Sequence, residues 1–139
     1  MLSRDPVLVI DDQPAHATQS SARSASSWIP RYGADAVGPL TLASREWYES
    51  GGGGYVERSL LTPRATLVVS RDPHAAGLTA AVESGMEPVD GSTAREHFPP
   101  LRDGAVGAAA LDQRSADIDT PVAIEAFRTH LERAGGALQ

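Results

Sequence analysis

The run Pro6-Val7-Leu8-Val9-Ile10-Asp11-Asp12 decides the fold class of this chain of 139 residues. Its apolar part shows no polar alternation, which is typical of a strand covered on both faces within a parallel sheet. Two acidic residues follow at the carboxyl end of that strand. The sequence therefore predicts an α/β fold, with this strand at its start.

Composition excludes several classes of function. Twelve basic residues, all of them arginine, and 18 acidic residues give a formal net charge of -6. The arginines are scattered, so we predict neither nucleic acid nor an anionic membrane surface as a partner. Without cysteine there are no disulfides or thiolate sites, and the four histidines are too dispersed for a local metal motif, so no metal is predicted. No apolar run approaches the ~20 residues of a membrane span and no secretory pattern is present, so we expect a cytoplasmic protein.

The remaining elements follow from periodicity and from helix boundaries. We predict a helical turn near 21–26, a helix over 35–49 that Gly51–Gly54 ends, and a helix from Asp72-Pro73 to Gly85. A short helix begins with a capping box at Thr93 and Glu96, and the clearest helix begins at Asp119. Strands are predicted at 66–70, 87–89, 104–111 and 137–139.

Two features suggest a piece of something larger. A strand of the buried type opens the sequence without a partner before it, and a helix near the other end leads into a strand of a few residues. We therefore expect a chain truncated at both ends. The exposed apolar edge of the first strand would allow self-association.

Asp11 and the segment around Arg23 together indicate a dinucleotide site. Asp11 stands where a dinucleotide-binding sheet places the acid that accepts hydrogen bonds from the adenosine ribose. The segment from Thr18 to Ser26 combines small side chains and hydroxyl donors with one cation, Arg23, which suits an anionic pyrophosphate. An ordinary serine-rich loop is the other interpretation of this segment. The alternative is a small non-catalytic α/β domain of receiver type, because paired acids after a first strand can hold Mg²⁺. Receivers also need a lysine, and this chain has none.

The order of several segments resembles the FAD-dependent oxidoreductases of the D-amino-acid oxidase and glycine oxidase superfamily, and within it the D-arginine dehydrogenase branch. The segments that carry the resemblance cover most of the chain: Ser21-Ala22-Arg23-Ser24-Ala25, Tyr32-Gly33, Leu42-Ala43-Ser44-Arg45, Leu60-Leu61-Thr62-Pro63-Arg64 and Ala116-Asp117-Ile118-Asp119-Thr120.

The resemblance implies a Rossmann-like FAD-binding domain interleaved with an antiparallel-sheet substrate domain. Residues 1–58 would be part of the FAD-binding region, 59–112 part of the substrate domain, and 113–139 a helix returning to the FAD-binding region. The reaction implied is oxidation of the C–N bond of a D-amino acid, with hydride passing from Cα to flavin N5 and the imino acid hydrolysed to a keto acid and ammonia.

The resemblance also implies roles for individual residues. Asp11, with Asp12 beside it, and the segment Ser20, Ser21, Arg23, Ser24 and Ala25 would bind FAD, while Tyr32 and Thr66 would contact the substrate. Thr66 replaces an acid found in arginine-preferring relatives, so we predict a preference for uncharged amino acids.

The sequence departs from the family in ways that bear on activity. The Gly-rich turn that grips the pyrophosphate is absent, and Ala22, Ser26 and Ser27 occupy positions that glycine, alanine or histidine frequently hold in the family. An added Cβ narrows the approach of the backbone to a cofactor. We therefore expect the chain alone to be inactive and to bind FAD weakly or not at all.

Overall fold

The computed structural model describes residues 7–13, 17–31 and 37–139. The chain divides into two units, and it passes from one to the other at four places along the sequence. Unit 1 contains residues 1–28, 39–62 and 117–139, and unit 2 contains residues 29–38 and 63–116. Neither unit is therefore a continuous stretch of sequence.

Unit 1 contains a parallel pair of strands, as the opening sequence predicts. Strand β1 (Leu8–Val9) pairs with β8 (Ala137–Leu138), and Leu8 lies opposite Ala137. The N–H of Asp11 donates to the carbonyl of Gln139 over 2.7 Å, which extends the ladder beyond β1. Among the described residues β1 has no other partner strand, and Val7 through Ile10 are exposed, Ile10 by 77%.

A helix and a glycine turn pack together beside this pair. Helix α6 (Thr120–Arg133) leads into β8. Trp47 stacks on Phe127 of α6 with ring centroids 4.2 Å apart, and the imidazole of His130 lies 2.8 Å from the carbonyl oxygen of Gly52. Gly52 adopts φ +72°, and a Cβ there would stand 2.7 Å from the Cβ of Ala126. Only glycine fits this close approach.

The predicted helix over 35–49 is divided in two. Helix α1 (Val37–Ala43) ends before Ser44, and α2 (Arg45–Glu49) follows it. The Ser44 hydroxyl donates to the carbonyl of Thr41, over 2.7 Å. Such a bond from a serine to its own helix bends the backbone. The next element, α3 (Gly51–Gly54), has positive φ at every glycine, so it ends the right-handed helix as predicted.

A second sheet of three strands has the order β2–β7–β3, formed by Ser27–Trp28, Ala116–Ile118 and Leu61–Pro63. None of these strands is predicted from the sequence. Trp28 is buried, and its indole N–H donates to the carbonyl of Thr41 over 3.1 Å. Each strand has two or three residues, too few to display a periodicity.

Unit 2 is an antiparallel sheet with the order β4–β6–β5, formed by Thr66–Ser70, Ala108–Asp112 and Glu87–Val89. Strand β4 is confirmed at its predicted bounds. Helix α4 (Ala76–Glu83) covers the sheet through Leu78, which forms a core with Met86 and Ala110. This antiparallel pairing differs from a receiver domain, which is built on a parallel sheet.

Two helix starts in unit 2 differ from the prediction. Asp72 accepts a hydrogen bond from the N–H of His74 in a turn, and α4 begins only after Ala75. Helix α5 (Gly91–His97) is capped by Asp90 instead of Thr93, whose N–H donates to the Asp90 carboxylate. Hydrogen bonds from Ser92 and Thr93 lower the pKa of Asp90 to about 2.

Within the described ranges, no helix has the length and apolar character needed to cross a bilayer.

Candidate functional sites

The two acids after β1 lie at the carboxyl end of that strand. The Asp11 carboxylate accepts a hydrogen bond of 3.1 Å from the N–H of Gln13, and Asp12 accepts one of 2.8 Å from the Gln13 side-chain amide. Asp11 is half-buried and Asp12 is exposed. Ligands of open α/β sheets bind outside the carboxyl ends of parallel strands, and the Asp11 carboxylate retains lone pairs for such a ligand.

The segment Ser20–Ala25 forms a single turn of 3-10 helix over Ser21–Arg23, close to the predicted helical turn. Arg23 is exposed, and no carboxylate of the described residues pairs with its guanidinium. Positive φ angles outside glycine occur, in the described residues, at Ala17 and Ser26 and not at Ala22. Alanine therefore adds bulk at position 22 without backbone strain.

A cleft of about 420 Å³ in unit 1, here called the serine cleft, adjoins this turn. Ser21 and Ala22 line it together with the first turns of α6, and its full lining is Ala17, Ser21, Ala22, Ser26, Thr120, Pro121, Ile124 and Glu125. Asp11, Asp12, Ser20, Arg23, Ser24 and Ala25 do not line it. Of the predicted FAD-binding residues, the structure thus brings only Ser21 into the cleft.

Ser26 is held in place by three contacts. Its carbonyl accepts a 2.6 Å hydrogen bond from the N–H of Ile118, its hydroxyl accepts one of 2.9 Å from Thr120, and its N–H donates to Ser24 Oγ over 3.0 Å. These contacts maintain a φ of +54° that disfavours every residue with a Cβ.

The start of α6 is fixed by a charged cap. Asp119 accepts a hydrogen bond from the N–H of Val122, and its second carboxylate oxygen lies 2.5 Å from Nη2 of Arg58. The hydrogen bond from Arg58 is the main reason why the pKa of Asp119 is lowered. A negative charge at this position also favours the helix, whose N-terminus carries a partial positive charge.

A second cleft, in unit 2, has a volume of about 530 Å³ and contains Thr66. Its lining also includes Arg31, which gives the name Arg31 cleft used below, and the full set is Ile29, Arg31, Thr66, Val68, Gly77, Ala80, Ala81, Glu83, Ser84, Met86 and Asp112. Thr66 lies opposite Asp112 in the β4–β6 register. Directly paired residues of an antiparallel ladder share a face, so the hydroxyl and the carboxylate lie side by side.

Sequence reasoning missed the acid of this cleft. Asp112 supplies a carboxylate to the cleft from the strand that neighbours Thr66. Asp112 is only 5% exposed and already pairs with Arg31 and Arg114. Its cross-strand position depends on register, which one strand's sequence does not reveal. Tyr32, the other predicted substrate residue, lies outside the described residues.

No family model matches the chain, but two solved structures share its fold. The L-proline dehydrogenase from P. horikoshii aligns with a TM-score of 0.66 and 18% identity over 87% of this chain and 34% of its own. The glycine oxidase from Geobacillus kaustophilus aligns with a TM-score of 0.69 and 18% identity over 96% of this chain and 40% of its own. The chain thus spans between a third and two-fifths of the length of these proteins. Its mixed helix-and-strand fold is that of a part of these two amino-acid oxidoreductases.

Proposed function

We propose that this chain is part of an FAD-dependent oxidoreductase that oxidises the C–N bond of amino acids. The observation that carries the proposal is the structural alignment of 96% of the chain with part of a glycine oxidase. Glycine oxidases belong to the superfamily that the order of sequence motifs resembles. Sequence order and three-dimensional fold therefore lead to the same class of enzyme from separate observations.

Unit 1 would belong to the FAD-binding domain and unit 2 to the substrate domain. Parallel strands with an acid at the carboxyl end of β1 suit a nucleotide, whereas the antiparallel sheet of unit 2 suits the substrate domain of the family. This assignment follows the interleaved path of the chain. The sequence-based bounds are 1–58, 59–112 and 113–139. The two units shift the later boundaries by four residues each and place residues 29–38 in the proposed substrate domain.

Several polar residues of unit 1 would suit FAD, and of these Ser21 lines the serine cleft. Asp11 would accept hydrogen bonds from a ribose diol, Ser20, Ser21 and Ser24 would donate hydroxyls to phosphate oxygens, and Arg23 would supply the balancing charge. The main support is that the Arg23 guanidinium is exposed and that no carboxylate of the described residues pairs with it, since such an arginine can bind an anion. When bound, FAD would accept the hydride that leaves the substrate's Cα.

The Arg31 cleft would favour substrates with uncharged side chains. A D-arginine side chain entering it would meet the guanidinium of Arg31, and the Asp112 carboxylate that could offset the repulsion already pairs with Arg31 and Arg114. The Thr66 hydroxyl adds no charge. We propose apolar or uncharged D-amino acids as the substrate class, with Thr66 in contact with the side chain. A cytoplasmic location stays a prediction.

The experiment that tests the function is a chimera. Residues 1–139 replace the corresponding part of a full-length D-arginine dehydrogenase, and the purified chimera is assayed for flavin absorbance and for turnover of D-leucine and D-arginine. We expect bound flavin and preferred turnover of D-leucine. Arg23→Gln should reduce flavin content, whereas the exposed Arg133→Gln should not. A folded chimera that lacks flavin would contradict the proposal.

The substrate assignment has its own control. Thr66→Glu in the chimera should increase relative turnover of D-arginine, because a new carboxylate would offset the charge of Arg31. If D-arginine keeps its advantage in the chimera and Thr66→Glu changes nothing, the assignment of Thr66 is wrong. The isolated chain should bind FAD weakly or not at all, and micromolar binding would contradict that expectation.

A further inference from the structure

Two Asp–Gly bonds occur in the sequence, at Asp90–Gly91 and at Asp103–Gly104. An aspartate followed by glycine can rearrange without an enzyme, because the backbone nitrogen of the glycine can attack the side-chain carboxyl group of the aspartate. Glycine has no Cβ to obstruct that attack, and it leaves the backbone free to turn towards the carboxyl group. Both bonds lie in unit 2, and the structure restricts them to different degrees.

The Asp103–Gly104 bond lies at the centre of an exposed turn. The Asp103 side chain is 92% exposed, and across the turn the N–H of Ala105 donates to the carbonyl of Arg102 over 3.1 Å. Gly104 has φ +68°, and no atom lies within 4 Å of its hypothetical Cβ. The N–H of Gly104 donates to no acceptor among the described residues. The nitrogen that would attack is therefore unbonded and surrounded by open space.

One contact restrains the Asp103 carboxylate. Its Oδ1 pairs with the guanidinium of Arg95, on helix α5. Ion pairs between exposed side chains are weak in water, because solvent screens the charges and the long side chains lose freedom when they pair. The Asp103 carboxylate therefore leaves Arg95 readily, and the pair slows a rearrangement without preventing it.

The start of α5 holds the Asp90–Gly91 bond much more firmly. Asp90 Oδ1 accepts hydrogen bonds from the Ser92 hydroxyl over 2.6 Å and from the Thr93 N–H over 2.8 Å, so the carboxylate is not free to turn towards the Gly91 nitrogen. These bonds lower the pKa of Asp90 to about 2, which disfavours the protonated carboxyl group that must lose its hydroxyl. The hypothetical Cβ of Gly91 also lies 3.0 Å from the carbonyl oxygen of Val106, so this glycine has little room to move.

We propose that Asp103 isomerises spontaneously to isoaspartate and that the cap of α5 protects Asp90 from the same reaction. A bond forms between Gly104 N and Asp103 Cγ, and the hydroxyl of the protonated carboxyl group leaves with the amide proton as water. Water then opens the resulting succinimide ring. Attack at Cγ regenerates aspartate, whereas attack at the main-chain carbonyl carbon gives isoaspartate. The water released in the first step is taken up in the second, so the net change is an isomerisation that needs no oxidant or reductant.

Isomerisation would change the turn that precedes β6. The main chain of isoaspartate continues through Cβ and is longer by one methylene group, and this extra length falls inside the turn closed by Arg102 and Ala105. The free carboxylate becomes that of the former main chain, so the partner of Arg95 moves. Because β6 is the central strand of the β4–β6–β5 sheet, the modification lies next to the main element of unit 2.

The test is to age the folded full chain for several weeks at neutral pH, then denature it and digest it with endoproteinase Asp-N. This protease cleaves before aspartate and not before isoaspartate, so one digest gives the uncut fraction at both sites. We expect the uncut fraction at Asp103 to grow about tenfold or more faster than that at Asp90, whose hydrogen bonds must break first. No growth at Asp103, or equal rates at the two sites, would overturn the proposal. Isomerisation leaves the mass of the chain unchanged, which mass spectrometry verifies.

A denatured sample and two variants separate structure from sequence. In guanidinium chloride the cap of α5 is lost, so the two sites should react at similar rates, and a difference that persisted there unchanged would overturn the proposal. Gly104→Ala places a Cβ beside the attacking nitrogen, so it should slow the reaction at Asp103 several-fold. Gly54 also has a positive φ and open space around its hypothetical Cβ, so Gly54→Ala is the matched control and should leave the rate unchanged. Equal rates in the two variants would contradict attack by the Gly104 nitrogen.

Discussion

Thr120 Oγ1 donates a hydrogen bond of 2.9 Å to Ser26 Oγ, across 94 positions of sequence. The bond connects the first residue of α6 to the residue that holds a positive φ in the loop before β2. Both side chains line the serine cleft. The helix start and the loop that carries the proposed FAD-binding residues are therefore fixed to each other.

Removal of this hydroxyl should destabilise the fold modestly. Thr120→Val keeps the shape of the side chain and leaves Ser26 Oγ without its donor, so we expect a loss of about 1 kcal/mol in the free energy of unfolding. Urea denaturation measures the change. Thr79→Val, at an exposed helical position, is the control and should stay within about 0.5 kcal/mol of wild type. Equal effects of the two substitutions would contradict the role of the bond.

The cap of α6 should make stability depend on acid pH. The pKa of Asp119 is lowered in the folded chain, mainly by the hydrogen bond from Arg58, so its carboxylate stabilises the fold above the unfolded pKa of about 4. That contribution is lost as pH falls through the folded pKa. Asp119→Ala should cost about 1 kcal/mol at pH 7, and the difference from wild type should shrink below about pH 4.

Thermal unfolding of both proteins between neutral and strongly acid pH measures that difference. Glu57→Ala removes an exposed carboxylate that has no partner among the described residues, so it should change stability little at any pH. If Asp119→Ala remained less stable than wild type by the same amount at the lowest pH, the charge of the Asp119 carboxylate would not contribute to stability.

Two glycines in helical segments should respond to alanine in opposite directions. Gly77 has open space around its hypothetical Cβ, so Gly77→Ala should raise the free energy of unfolding by about 0.5–1 kcal/mol. Gly52 has φ +72° and only 2.7 Å to the Cβ of Ala126, so Gly52→Ala should lower it by about 2 kcal/mol or more. Chemical denaturation measures the free energy of unfolding of both variants. A Gly77→Ala variant less stable than wild type would be inconsistent with open space around Gly77.

The exposed edge of β1 should cause self-association. Ile10 is 77% exposed, and it follows a strand that has one partner among the described residues. Leu40 is 72% exposed on helix α1, so the two side chains are about equally exposed but only Ile10 lies next to a strand edge. Ile10→Lys should shift sedimentation toward the monomer, because a charge opposes pairing of strand edges, and Leu40→Lys should not. A wild-type chain that stays monomeric at high concentration would refute the idea.

Local sequence signals were sufficient to predict the elements whose structure depends mainly on their own residues. Asp119-Thr120-Pro121 contains both the cap and the proline of a helix start, and α6 begins there. The run Thr66–Ser70 is a strand at its predicted bounds because its β-branched residues suit a pleated, half-buried surface.

Long-range pairing explains what the sequence did not predict. Strands β2, β3 and β7 consist of two or three residues that are extended only because a distant segment supplies their hydrogen bonds. The same reason applies to the Arg31 cleft. Thr66 could be nominated from a motif, whereas Asp112 came into the site through cross-strand register and Arg31 through the packing of unit 2.

The pairing of Leu8 with Ala137 also means that β1 is synthesised long before the strand that pairs with it. A ribosome that adds about 5–20 residues per second needs roughly 6–26 s to make the partner of β1 after β1 itself has been made. During that interval β1 lacks the strand that pairs with it among the described residues, and transiently exposed apolar strands make nascent chains prone to aggregate or to bind chaperones. The order of synthesis thus separates β1 from β8 by more than a hundred residues of elongation.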